Sequence, residues 1–236
     1  MGSAVAGRMN VTIVTPLRDA AAHWPGYVRR LAELDYDADK LRLVLVEGDS
    51  VDGTQGLVQE WAERWQRRKG AVTVVTCNTG RPKYGSVVDP ERFWTLATVF
   101  NAGLEAVDLA WSDDAMLLPV DIVYDPDLLR RLLAWEVDAV CPLTWMGGLF
   151  YDTWALSRDG QFFPPFSRET AADLFHEQLT EMTTIGGTML FRAELLRAGV
   201  RYGLVDVDRD FSRDARAAGF RLWLDPTTHV WHGERE

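Results

Sequence analysis

The residues best suited to chemistry are polar side chains that stand where apolar runs stop. Glu47 ends the run Leu41–Glu47 and opens the turn Gly48-Asp49-Ser50-Val51-Asp52-Gly53-Thr54. A carboxylate at such a place accepts hydrogen bonds from a base N–H or from ribose hydroxyls, while the glycines let the chain approach a ligand closely. The same residues also make an ordinary strand-to-helix turn with Asp and Ser caps. Arg92, followed by Asn101-Ala102-Gly103-Leu104, offers a guanidinium that pairs bidentately with a diphosphate; its other reading is a solvated Arg on a helix that ends in Asn-Ala-Gly. Asp210 stands at the start of a helical stretch, where the helix N-terminus keeps a carboxylate ionised. His229 and His232 place two imidazoles beyond the last apolar run, where a tail His is commonly just solvated.

These groups need a frame, and the pattern of apolar runs supplies one. Strands are expected at Asn10–Thr15 (closed by Pro16), Leu41–Glu47, Ala71–Cys77, Ala115–Leu118, Asp138–Leu143, Thr188–Phe191 and Arg221–Leu224. Helical patterns fall between them at Tyr27–Leu34, Thr54–Arg68, Glu91–Val107, Asp127–Trp135 and Asp210–Ala218. The alternation predicts an α/β fold with a mostly parallel central sheet, helices on both faces and ligand loops at the carboxyl ends of the strands. Residues 1–9 read as a flexible leader and 10–236 as one domain. The segment 144–184 interrupts the pattern with Gly147-Gly148, Pro164-Pro165 and many aromatics, and reads as an acceptor-recognition loop or lid.

Bulk properties narrow the function. With 236 residues and 47% hydrophobic content, the chain is long and apolar enough to bury a real core, so most of its ten tryptophans read as core. A net charge of -10 disfavours long nucleic acid and anionic membrane surfaces, but not a small phosphate ligand held by local cations or a metal. Cys77 and Cys141 read as reduced core residues. No stretch approaches the roughly 20 apolar residues of a membrane span, and the start lacks the pattern of a secretory signal, so the expected compartment is the cytoplasm.

The turn after Glu47 resembles the Val-Asp-Asp-Gly-Ser-x-Asp-Gly-Thr signature of family-2 glycosyltransferases with the GT-A (Rossmann-like) fold. Glu47 stands at their nucleotide-contacting carboxylate, and Asp49 takes the place of a Gly. Thr15-Pro16-Leu17-Arg18 is similar to the first strand and loop of the yeast mannan-polymerase subunits, a loop that borders the nucleotide. Arg92 with Asn101 resembles the family's helix near the donor phosphates. Leu117-Leu118-Pro119-Val120-Asp121 lies where GT-A enzymes carry the metal-binding Asp-x-Asp, with Pro119 replacing the first Asp as in the single-acid variant of fungal capsule mannosyltransferases. Phe150-Tyr151-Asp152-Thr153-Trp154 also resembles those capsule enzymes, with Asp152 suited to a sugar hydroxyl and Trp154 to stacking on a sugar or base. Gly186-Gly187-Thr188 and the segment around Asp210 are similar to the acceptor-side half of the family-2 pattern, in which the Asp is the catalytic base. His232 resembles the late His that closes some GT-A metal sites.

The resemblance implies a hexosyltransferase that takes a nucleotide-diphospho-sugar, GDP-mannose first and a UDP-sugar next, with Mn²⁺ or Mg²⁺. Residues 10–121 would hold the donor and 122–236 a hydroxyl acceptor, whether glycan, metabolite, protein or hydroxylated nucleobase in DNA. In that scheme Thr15, Pro16, Arg18, Glu47, Asp49, Arg92 and Asn101 serve the donor, and Asp121 and His232 the metal. Asp152, Trp154 and Gly187 serve the acceptor side, and Asp210 is the base. Two other classes share some of these features, a nucleotidyltransferase and a non-catalytic sugar-nucleotide-binding module. The first expects a Gly-rich, Lys-containing loop after the first strand, which Thr15–Ala20 lacks.

Overall fold

The computed structural model describes residues 9–66, 71–84 and 89–233. Three strands rich in Val, Ile and Leu, β1 (Val11–Leu17), β2 (Leu41–Glu47) and β3 (Val72–Thr76), pair in parallel, and β4 (Asp114–Leu117) lies parallel on the other side of β1. Strands apolar on both faces require cover on both faces, and helices provide it. Ile13, Leu17, Leu43 and Leu45 pack towards α1 (Trp24–Glu33), α2 (Thr54–Gln66) and α4 (Leu128–Leu133). Val14, Val44 and Val46 pack towards α3 (Pro90–Glu105) and α7 (Val207–Ala217).

The sheet then turns mixed. β11 (Met189–Arg192) lies antiparallel between β4 and β6 (Ala139–Met146), and β6 pairs in parallel with the long β12 (Leu222–His232). β5 (Ile122–Tyr124) and β10 (Thr180–Met182) add antiparallel pairs to β12, and β7 (Leu149–Phe150) folds back on β6. The order along the ten-stranded sheet is β10-β12-β6-β11-β4-β1-β2-β3. The expected parallel α/β frame is present, with its antiparallel strands gathered in the second half. Among the described residues no helix is long and apolar enough to cross a membrane, Cys141 is buried and Cys77 half-buried, and both thiols are free.

Several boundaries differ from the sequence pattern, for physical reasons. Pro16 does not close β1. The Val14 carbonyl accepts the Leu118 N–H and the Leu17 carbonyl accepts the Gly48 N–H, so by alternation the missing Pro16 N–H faces the β4 side, where pairing has already ended. Pro226 does not stop β12 either. The Asp225 carboxylate accepts the Thr227 N–H and the Thr227 and Thr228 hydroxyls, and the register shifts between Asp225 and His229. Before this bulge Leu222 and Leu224 enter the α3/α7 face of the core; beyond it Trp231 does so, while Val230 joins the opposite face.

Residues 144–184 are more ordered than their composition implies. They hold β7, the ribbon of β8 (Ser157–Arg158) and β9 (Gln161–Phe162), α5 (Arg168–Phe175) and β10. The Ser167 side chain caps α5 by accepting the Thr170 N–H, and the rings of Phe150 and Phe166 stack with centroids 4.5 Å apart. Short strands and an eight-residue helix carry too little periodicity to stand out among Gly, Pro and aromatics. The short helix α6 (Ala193–Arg197) also went unread. Of the expected leader, residues 1–8 lie outside the described residues, and the Met9 carbonyl accepts the Tyr36 hydroxyl. The last residues of the expected helix through Arg68, and 85–88 of the loop before Pro90, also lie outside them.

Candidate active site

The carboxyl ends of β1, β2 and β4 open onto a cleft of about 790 Å³, walled also by α3, the loop after β3, the segment after β7 and the start of α7. That volume is in the range of pockets for nucleotide-sized ligands. Pro16, Arg18, Asp49, Arg92, Asp121, Asp152, Trp154, Gly187 and His232 all line it. Residues far apart in sequence therefore converge on one cleft.

At the β2 end, Gly48 has no room for a side chain, since a Cβ there would overlap the Cys77 carbonyl. This close approach keeps β2 and β3 in line while Asp49 adopts a positive φ of 58°. The Asp49 carboxylate accepts the Thr79 N–H and hydroxyl and the Gly80 N–H. Desolvation pulls its pKa up, and these bonds more than reverse the effect, holding it below the usual carboxylate value. Asp49 thus ties the loop after β3 to the site. Arg18 works in the same way, donating to the carbonyls of Arg81 and Pro82 at 2.7 and 3.3 Å. Glu47 stands just behind this wall, 3% exposed, and its Oε1 has no protein partner. A buried acceptor without a donor costs about 1–3 kcal/mol, and Glu47, unlike Asp49, does not line the cleft.

At the β4 end, Asp121 sits within a turn closed by the Ile122 N–H on the Pro119 carbonyl. β5 then pairs Ile122 with His232 of β12, which brings His232 Nε2 to 3.2 Å from Asp121 Oδ2. The Tyr151 ring stacks on His232 at 4.3 Å between centroids. Asp121 and His232 together offer one carboxylate oxygen and one imidazole nitrogen to a divalent ion. Among the described residues no group of three or more His, Cys, Asp or Glu could hold a metal alone.

The acceptor side corrects one assignment. Asp210 does not line the cleft; its carboxylate pairs with Arg213, accepts the Asp206 N–H and packs against Gly203. The cleft residue of this helix is Asp208. α7 buries Phe211, Ser212 and Ala215, so Asp208 lies on the same inward stripe at i, i+3, i+4 and i+7, while Asp210 lies off it. That spacing is visible in the sequence and would have singled out Asp208. A Cβ on Gly186 would collide with the Asp208 carboxylate and with Ala155, and one on Gly187 would stand 2.8 Å from Asp152 Oδ2. The two glycines therefore make the room in which both acids sit.

Burial pushes Asp208 from the usual 3.8 up to about 7, helped by the charges of Asp152 and Asp206 and opposed by the Gly187 N–H and by Arg92. Burial likewise raises Asp152 to about 6, with the Thr144 hydroxyl opposing. A carboxylate tuned close to neutrality in a cleft is suited to proton transfer.

Two further residues stand outside the cleft wall. The Thr15 hydroxyl is buried against the Tyr27 hydroxyl at 2.6 Å and locks α1 to β1. Asn101 bridges α3 to the chain before α7, donating to the Tyr202 carbonyl and accepting the Tyr202 N–H. Both belong to the scaffold. Tyr151, Asp206, Asp208, Arg209 and the loop residues Pro82–Tyr84 line the cleft without having been singled out.

This sheet has the architecture of the GT-A fold. No family model matches the chain. The chain is 25% identical over 150 residues to procollagen galactosyltransferase 2 of Mus musculus, covering 61% of this chain and 24% of that protein. Among solved structures it resembles the mannosyltransferase PcManGT from Pyrobaculum calidifontis in complex with GDP-Man and Mn²⁺, with a TM-score of 0.65 and 22% identity over 97% of this chain and 58% of that one. It also resembles S. aureus TarS 1-349 in complex with UDP-GlcNAc, with a TM-score of 0.63 and 16% identity over 97% of this chain and 59% of that one. These neighbours are GT-A glycosyltransferases. The chain spans about a quarter of the galactosyltransferase and less than two thirds of each of these structures.

Proposed function

We propose that the protein is a glycosyltransferase that moves a hexose from a nucleotide-diphospho-sugar to a hydroxyl acceptor. One observation carries this reading: a single cleft at the strand ends joins Arg92 and the Asp121–His232 pair to an acid, Asp208, whose pKa is raised to about 7. The nucleoside binds over the ends of β1–β3 with Glu47 as acceptor of a base or ribose hydrogen bond. Asp49 and Arg18 act there by holding the loop after β3. Arg92 offsets charge on the diphosphate.

Asp121 and His232 are the residues that would hold Mn²⁺ or Mg²⁺, the two donor atoms being adjacent and open to the cleft. A bound ion there neutralises negative charge on the leaving nucleoside diphosphate. Asp208, ionised, accepts the proton of the incoming hydroxyl as its oxygen bonds to the anomeric carbon and the bond to the diphosphate breaks. Attack from the face opposite the leaving group inverts the anomeric centre. The base role read for Asp210 passes to Asp208, and Asp152 orients the acceptor.

GDP-mannose is the first donor to test and UDP-sugars the second, since a GDP-Man complex and a UDP-GlcNAc complex are both known among the structural neighbours. The test is a thermal-shift panel of GDP-, UDP-, dTDP- and ADP-sugars with and without Mn²⁺, followed by assay of nucleoside diphosphate release. A donor that binds and is never cleaved would make the protein a sugar-nucleotide-binding module instead.

A further inference from the structure

The acceptor end of the cleft has a chemistry of its own. Trp154 lines the cleft and is 59% exposed. It is held there by a tight turn in which the Ala155 and Leu156 N–H groups donate to the Asp152 carbonyl. The Asp152 carboxylate lines the cleft beside Gly187, and the indole two residues on is exposed. Across the rim, the Arg209 guanidinium lies 4.0 Å over the Phe162 ring and pairs with Asp206 at 3.1 Å. Leu204 and Val205, just before Asp206, are also exposed. An exposed aromatic and aliphatic rim beside a functional cleft marks a binding surface.

Below the rim the charge is negative. Asp152, Asp206 and Asp208 line this end, against Arg209, already engaged by Asp206, and Arg92, whose charge reaches Asp208. With three carboxylates against two guanidiniums, this end disfavours a further phosphate or carboxylate on an incoming acceptor. A flat apolar face is needed for the indole, several hydroxyls for the acids, and no negative charge. A pyranose meets all three demands, with C–H groups on one face and a fan of O–H donors at its edge. A serine side chain brings one hydroxyl and no flat face. A hydroxylated nucleobase brings the flat face on a polyanion.

Resting on the glycosyltransferase reading above, we infer that the acceptor is an uncharged carbohydrate whose ring packs on Trp154 while its hydroxyls address Asp152 and Asp208. Arg209, held by Phe162 and Asp206, shapes the rim.

The test uses the full chain with whichever donor binds in the thermal-shift panel. Neutral acceptors (methyl glycosides and oligosaccharides) are compared with uronates and 6-phosphates of the same sugars, a Ser/Thr peptide and an oligonucleotide carrying hydroxymethylcytosine. Nucleoside diphosphate release and product mass are followed. The expected result is transfer to a neutral saccharide with kcat/KM at least about tenfold above its anionic counterpart. Trp154→Ala raises acceptor KM about tenfold with kcat changed less than about threefold, and Trp154→Phe restores most of the loss. Thermal melting and donor Kd, measured on each variant, separate acceptor recognition from folding. Preference for an anionic, peptide or nucleobase acceptor, or an unchanged acceptor KM in Trp154→Ala, overturns the inference. If donor is cleaved to free sugar but no neutral saccharide accepts it, the acceptor assignment fails and the glycosyltransferase reading stands. If no donor binds or is cleaved, both fail.

Discussion

His232 Nε2 stands 3.2 Å from Asp121 Oδ2, a contact between the last strand of the chain and the loop that follows β4. With one carboxylate and one imidazole, the empty protein should bind metal weakly, and most coordination would come from diphosphate and water. Nucleotide affinity measured by calorimetry should therefore be higher with Mn²⁺ than with EDTA. Imidazole suits Mn²⁺ better than Mg²⁺, so His232→Ala should erase a preference for Mn²⁺. Equal affinity in both conditions, with full transfer in EDTA, would rule the ion out.

Asp208→Asn should lower kcat by about 10²–10⁴, the range of a lost general base, while donor Kd stays close to wild type. Asp210→Asn, which loses only its Arg213 pair and a helix-start contact, should cost less than tenfold in kcat. The product's anomeric configuration, read by NMR, should be inverted. A retained product would reduce Asp208 to positioning.

The raised acids set two opposite pH trends. The base must be ionised, so kcat/KM should climb as pH rises through about 7, where Asp208 titrates in the free protein. Stability runs the other way. Between pH 3.8 and about 7 the folded chain keeps a proton on Asp208 that the unfolded chain has released, so stability is highest at low pH in this window and falls as pH rises. Asp152, raised to about 6, and the remote buried Asp114, raised to about 7, act in the same sense. Chemical denaturation from pH 4 to 8 should show a shallower decline in Asp208→Asn than in wild type, and an unchanged slope would contradict the burial argument.

Glu47→Ala should weaken donor binding by about 1–3 kcal/mol, the scale of a lost charged hydrogen bond. The fold should be little changed, because the Glu47 backbone still accepts the Cys77 N–H and pairs with Leu17 and Thr76. Donor affinity equal to wild type in a titration would remove Glu47 from the site.

The frame was legible because its signals are long. β2 runs over Leu41–Glu47 as its apolar run predicts, and β1, β3, β4 and α3 differ from expectation by a residue or two. Glu47 followed from that frame, while Asp121 came with the resemblance to the Asp-x-Asp position. The family pattern puts its Asp at Asp210, whereas the stripe through Phe211, Ser212 and Ala215 points to Asp208, the residue of this helix that lines the cleft. Thr15 and Asn101 look functional in a linear motif, yet each spends its polar atoms on Tyr27 or Tyr202. Only the three-dimensional neighbour decides between those roles. The same holds for β5 and the far half of β12, which no local pattern announces.

The bulge between Asp225 and His229 separates two tasks within one strand. Upstream, even-numbered residues face the α3/α7 core; downstream, odd-numbered ones do, so His232 is carried to the side where Ile122 and Asp121 lie. The bulge works as a phase inverter. A one-residue change in the count between Asp225 and His229 would turn Trp231 out of the α3/α7 core and His232 away from Asp121, so the Asp225 latch fixes core and site contacts of the downstream stretch together.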